Sequence, residues 1–423
     1  MTAQESGIQG AVLIVNYDLG TRGGVGGRRW ALFGRALSEA GNKVHFLTTR
    51  KELPEELQNG HHRIHHFHSR FPAIINTIPV NFAGKIAYRF WLLRMRLRTR
   101  GTVYDLGKRD KNEFLKQCRS IIKKEQIRVC IITGAPFSFL YYGTLLKKEF
   151  PQLVLVTDFR DKWTEGFNYG MRTLNKAGKA YEQACEQAVI RQSDLVTVAS
   201  EDIADYLRQI HPRDYLLLYN AVSPMLQVRK PSEAINPKPN CFHLVHVGNI
   251  SDGCEVQTNH FLNALRMLQT SHPGKFCVSL VGCPNEQVVQ QFRQAEIPGL
   301  NIVDRMPQQE LGAFMATADA FLIFNREVLA KSIPTKFFDY IVFKKPLVAY
   351  KLKGKLAELI QEKNLGLLLD HRQSEALAAD ELLRLADGAI EFDRAYSNKE
   401  FTSEFQMEQL VKNLRPILEK ADH

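Results

Sequence analysis

VLIVNYDLGTRGGVGGRRWALFGRALSEAGNKVHFLTT, residues 12–49, joins an apolar run, a glycine-rich loop, an amphipathic run and a second apolar run. The first run has the length of a buried strand, and residues 28–40 show a helical period that ends at Gly41. Strand, glycine loop, helix and strand in this order are typical of a right-handed βαβ unit in a parallel sheet. The segment therefore predicts an α/β fold.

The same alternation continues along the chain and is interrupted once. Residues 223–240 contain four prolines and no apolar run, which is typical of a linker between domains. Helices are predicted at residues 176–191 before this segment and at residues 259–269 after it. The strand-like runs are residues 128–134, 153–159, 194–200 and 215–220 before it, and 242–249, 276–282, 301–306, 320–324, 346–350 and 365–370 after it.

A chain of 423 residues is longer than the ~250 to 300 residues that one hydrophobic core supports. We therefore predict two doubly wound domains, residues 1–222 and 241–394, joined by the linker 223–240. A ligand cleft is expected between them, at the carboxyl ends of the strands. Residues 395–423 are expected to form a helix that crosses back to the first domain.

Composition excludes several classes of protein. Hydrophobic residues at 44% and charged residues at 24% exclude a disordered or fibrous chain. No run approaches the ~20 apolar residues of a membrane-spanning helix, and residues 1–10 lack the order of a secretory signal. We therefore expect a cytoplasmic protein. Seven widely spaced cysteines without a Cys-x-x-Cys pair imply neither a disulfide framework nor a zinc knuckle.

Positive charge is concentrated in one segment. Residues 61–128 hold 16 Lys and Arg against four acids, a local charge of +12 in a chain whose total is +11. The rest of the chain is therefore about neutral. A single basic segment beside apolar residues favours an anionic membrane surface or an anionic acceptor over nucleic acid.

Residues 85–100, KIAYRFWLLRMRLRTR, form the centre of this segment. At 100° per residue, one apolar stripe contains Ile86, Phe90, Leu93 and Leu97. The flanking cations are Lys85, Arg89, Arg96 and Arg100 on one side and Arg94 and Arg98 on the other. The pattern predicts an interfacial helix whose arginines 89, 94, 96 and 98 contact lipid or acceptor at the inner face of the cell membrane. The alternative is a core-facing helix with a solvated basic face.

The neighbouring segment HHRIHHFHSR, residues 61–70, is rich in histidine. It lacks acidic or cysteine companions at ligand spacing, and Ile64 is bracketed by polar residues. We interpret it as a short exposed strand or loop, and we predict no metal site.

The glycine loop is the first candidate ligand site. Gly24 and Gly26 let the backbone approach a phosphate, and Arg28 and Arg29 follow them at the start of the predicted helix. The spacing does not match the dinucleotide-binding pattern G-x-G-x-x-G. The alternative interpretation is a simple turn.

The second candidate is SIPTKFFDYIVFKKPLVAY, residues 332–350. Pro334 and Thr335 begin a predicted helix, in which Lys336 and Asp339 lie one turn apart. Lysine suits a diphosphate, and aspartate suits a ribose or sugar diol. An exposed i, i+3 ion pair is the alternative.

The order of these and other motifs resembles GT-B glycosyltransferases of glycosyltransferase family 4 (group 1), over almost the whole chain. The motifs are the glycine loop at residues 23–29, VTDFRDKW at 156–163, DLVTVAS at 194–200, YNAV at 219–222, VGN at 247–249, ELGAFMATADAFLIF at 310–324 and PTKFFDYIVFKKPLV at 334–348. The resemblance implies two Rossmann-like domains. It also implies retaining transfer of a sugar from a nucleotide-diphosphate donor to a lipid-linked saccharide or polysaccharide, in surface polysaccharide or glycolipid biosynthesis.

The resemblance also implies roles for individual residues. Gly24 and Gly26 would approach the donor diphosphate and the acceptor. Asp161 and Arg160 would lie near the reacting sugar. The implied donor-side residues are Gly248, Asn249, Arg326, Pro334, Thr335, Lys336 and Asp339, with Lys336 on the diphosphate and Asp339 on the ribose. No metal or other cofactor is implied, because the departing diphosphate itself accepts the proton of the incoming hydroxyl.

The sequence departs from the family pattern at three places. Lys331 stands where the family has its first glutamate, and Glu327 is near but out of register. Residues 250–257 lack the usual basic residue, so Lys336 or Arg326 would supply the countercharge. A histidine often found in the first domain is replaced by Phe159 or Arg160. These departures leave two alternatives, a non-catalytic GT-B protein that binds glycans or acts as a scaffold, and a sugar-nucleotide epimerase.

Overall fold

The chain folds into two compact units, residues 1–221 with 403–423 and residues 222–402, called here the N-terminal and C-terminal domains. The computed structural model describes residues 8, 10–19, 24–49, 51–52, 57, 60–76, 79, 81–166, 169–222, 241–326, 331–350 and 353–422. The predicted linker at 223–240 and the near-register Glu327 lie outside these residues.

The N-terminal domain is built on a parallel sheet. Its strands are β1 (Ala11–Val15), β2 (Val44–Thr48), β3 (Arg63–His66), β4 (Ile127–Gly134), β5 (Val154–Phe159), β6 (Leu195–Val198) and β7 (Leu216–Leu217). Its helices are α1 (Gly24–Glu39), α2 (Phe82–Arg98), α3 (Lys111–Glu125), α4 (Phe137–Glu149), α5 (Lys176–Gln192), α6 (Glu201–Ile210) and the last helix of the chain, α13 (Ser403–Asp422). In the described part of the chain the strand order is β3-β2-β1-β4-β5-β6-β7.

The C-terminal domain repeats this plan. Its strands are β8 (Phe242–Val247), β9 (Phe276–Val281), β10 (Leu300–Val303), β11 (Ala320–Phe324), β12 (Leu347–Tyr350) and β13 (Gly366–Leu368). Its helices are α7 (Glu255–Ser271), α8 (Glu286–Gln294), α9 (Gln308–Ala316), α10 (Thr335–Tyr340), α11 (Lys355–Glu362) and α12 (Glu375–Ala386). Over the described residues the strand order is β10-β9-β8-β11-β12-β13, again parallel.

Both sheets reverse their order once, next to their first strand, so the predicted doubly wound α/β class is confirmed. Every predicted strand run overlaps a strand of the structure. The histidine-rich segment forms β3, an edge strand paired with β2. Ligands of such sheets bind at the carboxyl ends of the strands, where the order reverses. These points lie between β1 and β4 and between β8 and β11.

Alternating side chains of the central strands fill two cores. Leu13 and Val15 of β1 face one core, whereas Val12 and Ile14 face the other, as the two-residue period of a strand requires. Helices α3 to α6 cover the first core, and α1 and α13 cover the second. Burial of this kind contributes ~1.5 to 3 kcal/mol for each large apolar side chain.

The boundary predicted for the first helix was wrong. Helix α1 begins at Gly24 rather than at Arg28, so Gly24 and Gly26 lie in its first turns and not in a loop. Glycine costs only ~1 kcal/mol in a helix relative to alanine. Trp30 and Phe33, which are both fully buried, offset that cost by anchoring the helix on the sheet.

Arg29, expected beside a phosphate, instead forms a buried ion pair with Asp158 of β5. Its guanidinium donates to the Asp158 carboxylate at 3.2 Å and to the carbonyl of Leu218 at 2.8 Å. Asp158 also accepts hydrogen bonds from Trp30, Thr133 and Thr197. Burial alone would raise the pKa of Asp158, but Arg29 and these donors outweigh it and hold the pKa below its usual value. The pair fastens α1 to the sheet.

A disulfide joins Cys241 and Cys277 in the C-terminal domain, which the cysteine spacing did not predict. The two residues are 36 positions apart and meet because β8 pairs with β9. The bridge closes one edge of that strand pair.

We expect Arg29→Met to destabilise the N-terminal domain by ~3 to 5 kcal/mol, because it leaves the Asp158 carboxylate buried without its cation. The chain's three tryptophans, Trp30, Trp91 and Trp163, all lie in this domain. Urea unfolding followed by tryptophan fluorescence therefore measures the effect.

The control is Arg35→Met, which breaks the exposed Arg35–Glu39 pair and should cost less than ~1 kcal/mol. Equal destabilisation by both substitutions would contradict a central role for the buried pair.

Candidate functional site

The candidate site of the C-terminal domain lies where its sheet reverses, between β8 and β11. His246 of β8 is buried, and its Nδ1 lies 2.8 Å from the carbonyl oxygen of Leu322 on β11. Because a carbonyl only accepts, Nδ1 carries the hydrogen and Nε2 is left as an acceptor. The neighbouring strand thus fixes the tautomer of this histidine.

Lys336 of α10 donates a hydrogen bond to that nitrogen. Its Nζ lies 2.9 Å from Nε2 of His246 and donates to the carbonyl oxygen of Asn249 at 2.7 Å. Within the described residues, no carboxylate forms an ion pair with Nζ. The predicted site residues Lys336 and Asn249 are therefore in direct contact.

The ammonium of Lys336 is poorly solvated. Burial lowers its pKa to about 8, so it still carries its proton at neutral pH. Burial, and then the neighbouring ammonium, lower the pKa of His246 well below its usual value, which keeps that ring neutral. A partly buried cation held by two neutral acceptors has a free-energy cost that an anionic ligand would offset.

The loop after β8 presents bare backbone beside this cation. Gly248 has a φ of +80°, and a Cβ atom built on it would meet nothing within 4 Å. The side chain of Asn285 holds the loop by donating to the carbonyl of Ile250 at 2.9 Å and to Asp252 at 3.0 Å. A ligand can therefore approach the main chain at Gly248 closely.

The other predicted donor-side residues surround the same sheet edge. Arg326 follows β11, and its Nε would lie 3.3 Å from a Cβ atom on Gly253 of the same loop. Pro334 precedes α10, Thr335 begins it, and Asp339 lies one turn after Lys336. All four side chains are partly buried.

Arg160 and Asp161 lie at the carboxyl edge of the N-terminal sheet, directly after β5. The guanidinium of Arg160 donates to the carbonyl oxygens of Gly134 at 2.5 Å and Ala135 at 3.2 Å, at the end of β4. Asp161 is exposed and accepts a hydrogen bond of 3.4 Å from the hydroxyl of Tyr169. Arg160 is thus held in place by the backbone, whereas Asp161 faces solvent.

Arg28, the remaining predicted residue of the glycine segment, is partly buried on α1. In this domain the structure therefore assigns Arg29 to the core and leaves Arg28 nearer the surface.

Helix α2 exposes the predicted apolar stripe. The exposed fractions are 54% for Ile86, 58% for Phe90, 58% for Leu93 and 78% for Leu97, and Phe82 extends the stripe with 79%. Arg89, Arg96 and Arg98 are exposed beside it, and the guanidinium of the half-buried Arg94 lies 5.6 Å from the ring centroid of Trp91.

The opposite face of α2 packs on the domain through Met95, which contacts the cluster of Ile75 and Val103. The core-facing interpretation of the stripe is therefore wrong.

No helix in the described part of the chain combines the length and apolar character needed to cross a membrane.

Sequence reasoning missed two residues, His246 and Asp158. Each lies in a largely apolar strand whose centre is buried, FHLVHV for His246 and VLVTDF for Asp158. A titratable residue inside such a strand requires a hydrogen-bond partner, and this was the available signal.

Comparisons with known proteins agree with this description. The family model described as "Glycosyl transferases group 1" matches residues 241–387, the greater part of the C-terminal domain. Over these residues the match confirms the resemblance to group 1 glycosyltransferases that the sequence predicted. No curated protein sequence matches the chain.

Solved structures share the fold over the whole chain. Sucrose-phosphate synthase from Thermosynechococcus elongatus is 14% identical with a TM-score of 0.58, covering 98% of both chains. A glycosyltransferase from Rickettsia africae is 13% identical with a TM-score of 0.59, covering 98% of both chains. A putative UDP-N-acetylglucosamine 2-epimerase from Listeria monocytogenes is 10% identical with a TM-score of 0.56, also covering 98% of both. The architecture is thus GT-B.

We expect the ammonium of Lys336 to titrate near pH 8, because burial lowers its pKa to about that value. Protein labelled with ¹³C at lysine Cε should show one NMR resonance with this midpoint, and Lys336→Arg should remove it. If the resonance that Lys336→Arg removes titrates near the ordinary lysine pKa of ~10.4, the ammonium is not desolvated as described.

Proposed function

We propose that this protein is a retaining glycosyltransferase that moves a sugar from a nucleotide-diphosphate sugar to a lipid-linked saccharide or polysaccharide acceptor. The observation that carries the proposal is the partly buried ammonium of Lys336, whose partners among the described residues are both neutral and which lies beside the bare backbone of Gly248. A diphosphate is the anion that suits this arrangement, since charged hydrogen bonds and main-chain approach both favour phosphate oxygens. The group 1 match of the same domain supports this assignment.

The proposed donor site follows from these contacts. Lys336 donates to the diphosphate, and Gly248 and Asn249 line the sugar side. Pro334 and Thr335 orient α10, so that Asp339 accepts from the ribose hydroxyls. Arg326, beside Gly253, adds a second positive charge.

In the proposed reaction the bond between the anomeric carbon and the diphosphate oxygen breaks, and a bond to the acceptor oxygen forms on the same face. The acceptor proton passes to the departing diphosphate oxygen, which gains negative charge as the bond breaks. Lys336 stabilises that charge, and no metal ion is needed for it. Gly24 and Gly26 are assigned to the donor diphosphate and the acceptor, Arg160 and Asp161 to the reacting sugar, and Arg28 to the acceptor.

We expect Lys336→Ala to weaken binding of the matching nucleoside diphosphate by ~1.5 to 3 kcal/mol, the contribution of a charged hydrogen bond. Wild-type affinity should also fall about tenfold between pH 7 and pH 9, because Lys336 loses its proton around pH 8 and only the ammonium binds well. Isothermal titration calorimetry with uridine, guanosine and adenosine diphosphates measures both effects.

The control is Lys345→Ala, because Lys345 lies before β12 at the amino edge of the same sheet. It should leave both affinity and pH dependence unchanged. Unchanged affinity in Lys336→Ala would remove this residue from the donor site.

Turnover tests the function itself. The purified protein is incubated with a panel of sugar nucleotides, with and without EDTA, and the products are identified by NMR. Slow release of free sugar in its original anomeric form supports the retaining transferase. A sugar nucleotide with one inverted centre would instead identify an epimerase.

The non-catalytic alternative is favoured by one residue, Lys331, which replaces the family's first glutamate and is exposed on the loop before α10. A protein of that kind shows neither turnover of any sugar nucleotide nor thermal stabilisation by any nucleoside diphosphate.

We further propose that α2 docks the enzyme on an anionic membrane at the cytoplasmic face. Its exposed stripe of Ile86, Phe90, Leu93 and Leu97 lies between two rows of cations, as interfacial helices require. A lipid surface matches both features, because acyl chains accept the stripe and phosphates pair with the arginines.

We expect Phe90→Ser with Leu97→Ser to weaken binding to phosphatidylglycerol vesicles by more than about tenfold, because each apolar side chain contributes ~1.5 to 3 kcal/mol. Vesicle sedimentation at low and high salt measures this. The side chains are 58% and 78% exposed, so folding should be unaffected.

The matched control is Met267→Ser with Leu377→Ser, two apolar residues of the C-terminal domain that are 45% and 41% exposed. Equal vesicle binding by the two double variants would refute docking through α2. A loss of self-association in the α2 variant, without a loss of vesicle binding, would assign the stripe to a second copy of the chain.

A further inference from the structure

A cavity of about 690 Å³ lies within the N-terminal domain, between the carboxyl end of α2 and the first turn of α5. Its lining includes the cations Arg96 and Arg100 and the side chains of Thr99, Thr173, Tyr104 and Tyr181. The hydroxyl of Thr173 already donates to the carbonyl oxygen of Gly170 at 2.8 Å. None of these side chains belongs to the proposed donor site. The volume is within the range of ~300 to 1,000 Å³ that is typical of small-molecule sites.

The charge facing this cavity is positive. Arg96 and Arg100 are both exposed, and neither guanidinium forms an ion pair with a carboxylate of a described residue. Among the described residues that line the cavity, none is acidic. Two guanidinium groups match the oxygens of a phosphate group.

The acid beneath the cavity is already neutralised. The buried carboxylate of Glu182 accepts hydrogen bonds from the amide of Thr102 at 2.8 Å, from Lys108 at 2.9 Å and from Trp163 at 2.9 Å. Gly101 has a φ of +76°, and a Cβ atom there would lie 1.9 Å from the Glu182 carboxylate. The carboxylate of Glu182 is therefore held in place, and its charge is paired with that of Lys108.

The cavity lies at the carboxyl end of α2, the helix that carries the apolar stripe, and beside the loop after β5. Arg96 directly precedes Leu97, which is 78% exposed. On the other side, the hydroxyl of Thr102 donates to the carbonyl of Tyr169, whose own hydroxyl donates to Asp161. A lipid phosphate held here would lie at the end of the helix that carries the stripe, and the saccharide attached to it would extend toward the Asp161 loop.

We infer that this cavity binds the phosphorylated headgroup of the membrane lipid that carries the acceptor saccharide. That the bound lipid carries the acceptor rests on the proposed function. Recognition of a phosphorylated lipid rests on the cavity alone. Binding here would hold the acceptor at the protein surface that α2 turns toward the membrane.

Vesicle flotation tests the inference without any donor. Wild type is compared on phosphatidylcholine vesicles that carry either a long-chain prenyl diphosphate or phosphatidylglycerol, at equal surface charge. We expect wild type to prefer the prenyl diphosphate vesicles. Arg96→Gln with Arg100→Gln should reduce that preference by about tenfold or more, because it removes two charged hydrogen-bond donors.

The matched control is Arg89→Gln with Arg98→Gln, which removes the same charge from exposed positions of α2 outside the cavity. It should weaken binding to both vesicles equally and leave the preference unchanged. Parallel losses in the two double variants, or no preference in wild type, would overturn the inference. Equal affinity for dissolved inorganic pyrophosphate and for the prenyl diphosphate would also overturn it, because the site would then serve a soluble anion.

Nucleoside diphosphate affinity separates this result from the proposed function. The Arg96→Gln, Arg100→Gln variant should bind the nucleotide as wild type does. If wild type bound no nucleotide, the proposed donor site would be contradicted. The vesicle preference would still test the lipid-binding cavity on its own.

Discussion

The hydrogen-bond chain from Leu322 through His246 to Lys336 is the constraint on which the account of the C-terminal domain depends. The Leu322 carbonyl fixes one histidine nitrogen as a donor, so the other must accept from the lysine. These hydrogen bonds connect β8, β11 and α10, the elements that meet where the sheet order reverses. It holds an ammonium at the carboxyl edge of the sheet without neutralising it.

The basic residues of this protein have different roles, and the role of each depends on whether its partner is a carboxylate or a neutral group. Arg29 is paired with Asp158, and Lys108 is paired with Glu182, so a buried carboxylate neutralises each of these two charges. In the part of the chain that the structure describes, Lys336 contacts only neutral acceptors, and none of the residues that line the cavity of Arg96 is acidic. Basic residues of the first kind stabilise the domain, whereas those of the second kind are available to an anion. Residue type alone does not distinguish them.

Much of the fold followed from the sequence, because buried parallel strands are continuous apolar runs and their order along the chain is that of a doubly wound sheet. The stripe of α2 was also predictable, since helical geometry places Phe90 and Leu97 on one face whatever that face contacts. Partners distant in sequence were not predictable. Arg29 meets Asp158 across 129 positions, and Lys336 meets His246 across 90.

A structure of the protein with a bound nucleoside diphosphate tests the central claim most directly. The account predicts a β-phosphate oxygen within ~3 Å of Lys336 Nζ, with the diphosphate resting against the backbone of Gly248. A diphosphate bound away from this lysine, with Nζ still held only by His246 and Asn249, would contradict it.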